Sequence, residues 1–147
     1  MTIKITNEDL FDADADVLVQ GVNAAGKSEA GIAMQFKKYY PEMIAEYKKA
    51  CRLKLIKPGN LAYYVNNPGM KNVVNLVTQM DLSGARLEYV ALCLDKLKNL
   101  CEMENIKSIA MPKIGCGLGK LDWDDVEQLL KDKFKDSDLE IIVCTRD

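Results

Sequence analysis

The chain has 147 residues, about one domain's worth and enough to bury most of its apolar surface around one core. With 20 basic against 22 acidic residues the net charge is −2, which excludes a general attraction to nucleic acid backbone or anionic membrane; nucleic acid stays open only through a local basic patch. Histidine is absent, which removes Ser-His-Asp and Cys-His nucleophile systems and most transition-metal sites together, and five scattered cysteines (Cys51, Cys93, Cys101, Cys116, Cys144) without a C-x-x-C argue against both a disulfide framework and a zinc site.

In chain order, Thr2–Thr6 and residues 17–22 read as strands joined by a short acidic segment, residues 7–16. Ile32–Tyr39 reads as a helix, and Pro41 suits the first position of a second helix running to Arg52. Pro58-Gly59 turns the chain into a strand over residues 60–65, and Asn66-Asn-Pro-Gly69 then turns it into another over residues 72–77, a hairpin signal. Leu87, Val90, Ala91, Leu94, Leu97 and Cys101 share one helical face. A strand at Ser108–Met111, a helix over residues 124–134 and a strand at Glu140–Cys144 complete the set.

Strands separated by helices, with one hairpin in the middle, predict an α/β fold: a three-layer α/β/α sandwich with a central mixed sheet. No linker, repeat or low-complexity stretch interrupts residues 1–147, so a single domain is expected. No apolar run approaches the roughly 18 residues of a membrane span and the N-terminus lacks a signal-peptide pattern, so the expectation is a cytoplasmic protein without membrane contact.

Two glycine-punctuated loops follow apolar strands. One runs from Val17-Leu-Val-Gln-Gly-Val22 through Asn23-Ala-Ala-Gly-Lys-Ser-Glu-Ala-Gly31 into Ile32-Ala-Met-Gln-Phe36; the other runs from Ser108-Ile-Ala-Met111 through Pro112-Lys-Ile-Gly-Cys-Gly-Leu-Gly119 to Trp123. Strand, small-residue loop, helix aims backbone N–H groups and a positive helix end at an anion. Two such loops in one small domain suggest a ligand with two phosphates held at strand ends. No G-x-x-x-x-G-K-[ST] and no G-x-G-x-x-G opening the first helix is present, so Walker and Rossmann readings have no support. The alternative is that the glycines only punctuate turns.

Gly21-Val-Asn23, Ala30-Gly-Ile-Ala33, Met111-Pro-Lys-Ile-Gly-Cys-Gly-Leu-Gly119 and Leu121-Asp-Trp123 together resemble the macrodomain family of ADP-ribose-binding modules. The chain looks most similar to the small branch holding the terminal ADP-ribose glycohydrolases and the antitoxin macrodomains that reverse DNA ADP-ribosylation. The resemblance covers nearly the whole chain, residues 2–145. It implies that Asp9 accepts from the adenine amine while the Leu10 N–H faces a ring nitrogen, although Glu8 stands where glycine is usual. It implies that Asn23 holds the distal ribose. The backbone of Ala30, Gly31, Ile32 and Ala33 would clasp one side of the diphosphate, and Gly115, Cys116, Gly117, Leu118 and Gly119 the other. Ser28 and Glu29 replace small residues, and Glu29 is expected to point to solvent. Cys116 has no histidine partner and reads as a small apolar residue in a tight loop, Trp123 as an anchor for that loop, and Asp122, Asp124 and Asp125 as caps of the final helix.

Catalysis is where the chain departs from its likeness. Hydrolases of the glycohydrolase branch use a lysine after a threonine at the strand end; here Thr78 is followed by Gln79, and an amide cannot form a Schiff base or donate a proton with comparable strength. Their partner acid falls at Gly119, a position where the DNA-directed relatives also carry glycine. Lys120 is adjacent and reads as an exposed lysine beginning a helix. The likeness therefore implies a monomeric module that binds ADP-ribose or an ADP-ribosylated target, with nucleic acid only as such a target and neither cofactor nor metal. Whether it is an enzyme is left open. The alternative is a hydrolase using Asn23 and a loop-held water on ADP-ribose 1″-phosphate (a phosphatase), ADP-ribosyl esters or ADP-ribosylated macromolecules.

Overall fold

Along each central strand, apolar side chains alternate between two cores. The strands are β1 (Thr2–Thr6), β2 (Val17–Asn23), β3 (Leu61–Tyr64), β4 (Asn72–Gln79), β5 (Ser108–Met111) and β6 (Glu140–Cys144). In this computed structural model, which describes residues 1–28, 30–65 and 68–146, they form one sheet in the order β1-β6-β5-β2-β4-β3. Val17 and Val19 face one core while Leu18 between them faces the other; Ile109 and Met111 divide likewise around Ala110, and Ile141 and Val143 around Ile142. That period of two, on strands buried on both faces, is why these segments read as nearly continuous apolar runs.

Among the described residues four α-helices cover the sheet: α1 (Ile32–Tyr39), α2 (Pro41–Arg52), α3 (Leu87–Met103) and α4 (Trp123–Phe134). Phe36 of α1 with Met43 and Ile44 of α2 fill the core on one face. Val90, Leu94 and Leu97 of α3 with Val126, Leu130 and Phe134 of α4 fill the core on the other. Each fully buried large apolar side chain contributes roughly 1.5–3 kcal/mol. The result is the predicted three-layer sandwich. The sheet is mixed because β3 pairs antiparallel to β4 while the other neighbours run parallel. Leu61 faces Leu76 and Tyr64 faces Val73 in the expected hairpin; Asn66 and Asn67 of its connection lie outside the described residues.

Element ends differ from expectation by one or two residues, for local reasons. β2 and β4 run on to Asn23 and Gln79 because their ladder resumes, Asn23 opposite Gln79, after a register shift at Val22/Asn23. β3 is shorter than residues 60–65 at both ends. α4 starts at Trp123 because the Asp122 carboxylate caps it, accepting from the Asp124 N–H at 3.0 Å. The acidic segment before β2 contains one 3-10 turn, Leu10–Asp12, capped by Asp9. α2 ends in two overlapping turns: Lys54 N–H donates to Cys51 O and Leu55 N–H to Ala50 O, with Lys54 at φ 57°. Glycine is the usual residue at that left-handed position, and a side chain there costs about 1–2 kcal/mol.

Candidate functional site

The parallel strands β2, β4, β5 and β6 end on one side of the sheet, and a cleft of about 460 Å³ opens there. Gln20–Asn23 and Thr78–Gln79 form its floor at the ends of β2 and β4, with Cys144, Thr145 and Arg146 after β6. Lys27, Ser28 and Ala30–Ala33 form one wall, and residues 112–119 the other. Open α/β sheets hold ligands at this edge.

The two walls share a property. In the first, α1 begins at Gly31, whose φ of 63° turns the chain into the helix, and no side chain caps it. The amides of Ala30, Gly31, Ile32 and Ala33 make no hydrogen bond to another described residue. In the second wall the amides of Gly115, Gly117, Leu118 and Gly119 are likewise unengaged, while the Cys116 N–H is taken by Lys113 O. The second loop is rigidly tied: Leu121 N–H donates to Gly115 O at 2.8 Å and Ala85 N–H to Gly119 O at 2.9 Å. A Cβ on Gly119 would lie 2.5 Å from Gly115 O and 2.9 Å from Ala85 Cβ, so no other residue fits that backbone. Among the described residues lining the cleft there are three cations, Lys27, Lys113 and Arg146, and no carboxylate. Glu29 lies outside the described residues.

Asn23 is buried, and its side chain is largely engaged. Its Oδ1 accepts from Ala25 N–H at 3.0 Å and Lys27 N–H at 3.1 Å, with the Tyr47 hydroxyl 3.0 Å away, and its Nδ2 donates to Lys27 O at 2.9 Å. One N–H remains for a ligand, and the oxygen has no capacity left to take a proton from water. The Tyr47 hydroxyl also donates to Asn23 O at 2.6 Å, so α2 clamps the residue from below. Burial, then the neighbouring Cys51, keeps the Tyr47 phenol well above its usual range and thus protonated.

Gln79 lines the cleft and is turned away from it in part, its Nε2 donating to Asp81 O. Cys116 also lines it; its thiol donates to Ile114 O, and burial raises its pKa against the lowering effect of Lys113. A thiol so held is a poor nucleophile. Trp123 is partly buried against the α3/α4 core with Lys113 Nζ 5.8 Å from its ring. Lys120 is exposed and outside the lining.

All the glycine-loop residues singled out from the sequence, with Asn23, therefore meet in one cleft. Asp9 and Leu10 do not line it: Leu10 is buried in the α1/α2 core, and the Asp9 carboxylate accepts from Phe11 N–H at 2.9 Å beside a separate 350 Å³ cavity. Asp9 is still close in the fold to the cleft's far end, three residues after Thr6, which pairs with the cleft residue Cys144 across β1 and β6. Sequence reasoning missed the buried amide pair that Gln20 of the floor makes with Asn75. Gln20 Nε2 donates to Asn75 Oδ1 at 2.9 Å, while Gln20 Oε1 and Asn75 Nδ2 have no partner among the described residues. A glutamine and an asparagine each interrupting an apolar strand were the available signal.

The sequence pattern of the Macro domain family matches residues 19–130. The chain is 38% identical over 131 residues to a DNA ADP-ribosyl glycohydrolase of Mycobacterium tuberculosis, covering 86% of this chain and 37% of that protein. It thus spans little more than a third of that relative's length. It is 25% identical over 155 residues to an ADP-ribose 1″-phosphate phosphatase of Meyerozyma guilliermondii, covering 84% of this chain and 89% of that protein. Among solved structures it superposes on the macrodomain of Mycobacterium tuberculosis DarG with a TM-score of 0.91 and 34% identity, covering 99% of each chain. With the family pattern spanning most of its length, the two-walled cleft at its strand ends and this superposition, the chain belongs to the Macro domain family.

Proposed function

We propose that the cleft binds the ADP-ribosyl group, either as free ADP-ribose or carried on a macromolecule, with residues 1–147 acting as one macrodomain. The observation that carries this is the pairing of two walls of unengaged amides with three cations and no carboxylate among the described lining residues. That is an anion site with room for two phosphates. In this reading the amides of Ala30–Ala33 hold one phosphate, and those of Gly115, Gly117, Leu118 and Gly119 hold the other, with the loop through Cys116 curving round the distal ribose. Asn23 gives its free N–H to that ribose. The adenine lies toward Cys144–Arg146, within reach of Asp9 and the Leu10 N–H. Several charge-assisted hydrogen bonds at about 1.5–3 kcal/mol each, less ordering costs, support micromolar affinity.

Binding is favoured over turnover by the cleft's chemistry. Gln79 offers no amine, Gly119 has no room for an acid, and Asn23 has no free acceptor. The five thiols are free, which fits work in a reducing cytoplasm. Calorimetric titration with ADP-ribose, followed by product analysis after incubation with ADP-ribose 1″-phosphate and with an ADP-ribosylated oligonucleotide, tests the reading. Micromolar binding without product supports it. Released phosphate or ADP-ribose replaces the binding module with a hydrolase, and absence of binding removes the ligand altogether.

A further inference from the structure

A second cavity opens behind the turn that carries Asp9. It holds about 350 Å³, shares no residue with the cleft, and forms where three segments meet: the 3-10 turn Leu10–Asp12, the junction of α1 with α2, and residues 69–71 before β4. Hydrogen bonds brace it. The Tyr40 hydroxyl donates to Lys71 O at 3.0 Å, Lys71 Nζ donates to Ala15 O, and the Asp9 carboxylate holds Phe11 N–H.

The lining is aromatic and acidic. Leu18 and Tyr40, 1% and 4% exposed, give it a buried apolar floor. The Phe11 ring centre stands 4.9 Å from that of Tyr39 and 6.4 Å from that of Tyr40. Asp9 and Asp12 bring two carboxylates, and the exposed Asp12 side chain has neither hydrogen bond nor ion pair among the described residues. Lys71, the one cation of the described lining, has its ammonium on a backbone oxygen. Core packing accounts for Phe11, Leu18 and Tyr40. It does not account for Tyr39 and Met70, 42% and 43% exposed in the same lining, nor for the unpaired carboxylate. Tyr39 already draws a cation, since Lys38 Nζ lies 5.3 Å from its ring centre. A Cβ on Gly69 would meet nothing within 4 Å, so that side of the mouth is open.

We propose that this cavity docks a basic side chain, arginine or lysine, of a protein partner. The aliphatic stem lies on the apolar floor, and the cationic head is shared by the Tyr39 ring and the Asp12 carboxylate. Charge complementarity selects a cation: two carboxylates face the cavity, and the lining's own ammonium is committed elsewhere. The exposed Tyr39 and Met70 select a polypeptide, whose flanking residues cover them, over a small free cation that leaves them in water. The site is independent of the ADP-ribosyl reading of the cleft.

The test titrates the capped tripeptide acetyl-Gly-Arg-Gly-amide into isotope-labelled protein and follows backbone amide shifts. Saturable shifts confined to residues 9–12, 39–40 and 69–71 are expected. The same tripeptide with citrulline in place of arginine, neutral and nearly the same shape, should bind at least tenfold more weakly. Asp12→Asn should weaken the arginine peptide about three- to fivefold, and Tyr39→Leu, which keeps apolar bulk without a ring face, about two- to fivefold. Both positions are exposed, so the fold holds in either variant. Absence of shifts at these residues, equal binding by the citrulline peptide, or unaltered affinity in both variants overturns the proposal. So does tighter binding by free arginine than by the tripeptide, which gives the cavity to a metabolite. Saturating ADP-ribose should leave the peptide's affinity unchanged; displacement would make the cavity part of the nucleotide site and overturns its independence. Peptide binding lost in the two variants, with no ADP-ribose binding by any form, supports this site and refutes the reading of the cleft.

Discussion

Replacing Tyr47 with phenylalanine removes one oxygen and little volume from a side chain that is 1% exposed. That hydroxyl donates to Asn23 O at 2.6 Å and approaches Asn23 Oδ1 at 3.0 Å. Without it Oδ1 retains the N–H groups of Ala25 and Lys27, whereas the backbone oxygen loses its hydroxyl donor and keeps a weak Cys51 Sγ contact at 4.0 Å. A buried acceptor stripped of its donor costs about 1–3 kcal/mol. A loss of about 2 kcal/mol lowers the melting temperature of a chain this size by roughly 4–8 °C. Freed from its clamp, the Asn23 N–H loses its aim, and affinity for ADP-ribose should fall about tenfold, equivalent to about 1.4 kcal/mol. Urea denaturation and calorimetry read the two effects separately. Tyr63→Phe is the control: it removes an acceptor of the Asn72 amide on the outer hairpin, away from the cleft, and should cost stability without affinity. The reasoning fails if Tyr47→Phe keeps both stability and affinity, or if Tyr63→Phe weakens ligand equally.

Gly117→Glu adds a side chain where a Cβ meets nothing within 4 Å, so the melting temperature should hold while ADP-ribose affinity drops at least a hundredfold; unchanged affinity removes the second wall from the site. Gly119→Ala should do the reverse in emphasis, losing about 1–3 kcal/mol through overpacking against Gly115 O and Ala85, measured by denaturation. An unaltered denaturation midpoint would show that the loop yields. Burial pushes the Cys93 thiol up to about 12 and the Cys101 thiol to about 11, against an unfolded value near 9. The folded state therefore resists ionisation, so the contribution of these two thiols to stability is level below pH 9 and falls as pH rises toward 11–12. The slope should be on the order of 1 kcal/mol per thiol per pH unit. Cys93→Ala should flatten part of that slope, and an identical slope would assign it to other groups.

The layers, the hairpin and both loops were legible because each has a local cause. Val17, Leu18 and Val19 or Ile141, Ile142 and Val143 cannot satisfy two cores except as a doubly covered strand. Gly31 and Gly115 sit at positive φ, as loop glycines between strand and helix suggest. What escaped depends on distant partners. Nothing local joins Gln20 to Asn75 across 55 residues, and nothing near Tyr47 announces a bond to Asn23. Lys27, Lys113 and Arg146 come from three separate strand ends, so their convergence belongs to the sheet order. The tight fit at Gly119 likewise appears only once Ala85 is seen against it. Asp9 was assigned from likeness, and the structure engages its carboxylate with its own 3-10 turn.

The bracing of the second loop makes the cleft mechanically lopsided. The carbonyls of Gly115 and Gly119 are bolted to Leu121 and Ala85, whereas the Gly31 carbonyl accepts from Met34 of the helix it begins. One wall thus behaves as an anvil and the other as the part that yields. Ligands of differing bulk should be accommodated by shifts at the start of α1, while selectivity among phosphate arrangements is set on the rigid side. Amide hydrogen exchange with and without ADP-ribose would register this as a large gain in protection at Gly31–Ala33 and a small one at Gly117–Gly119. Equal gains would mean that both walls move.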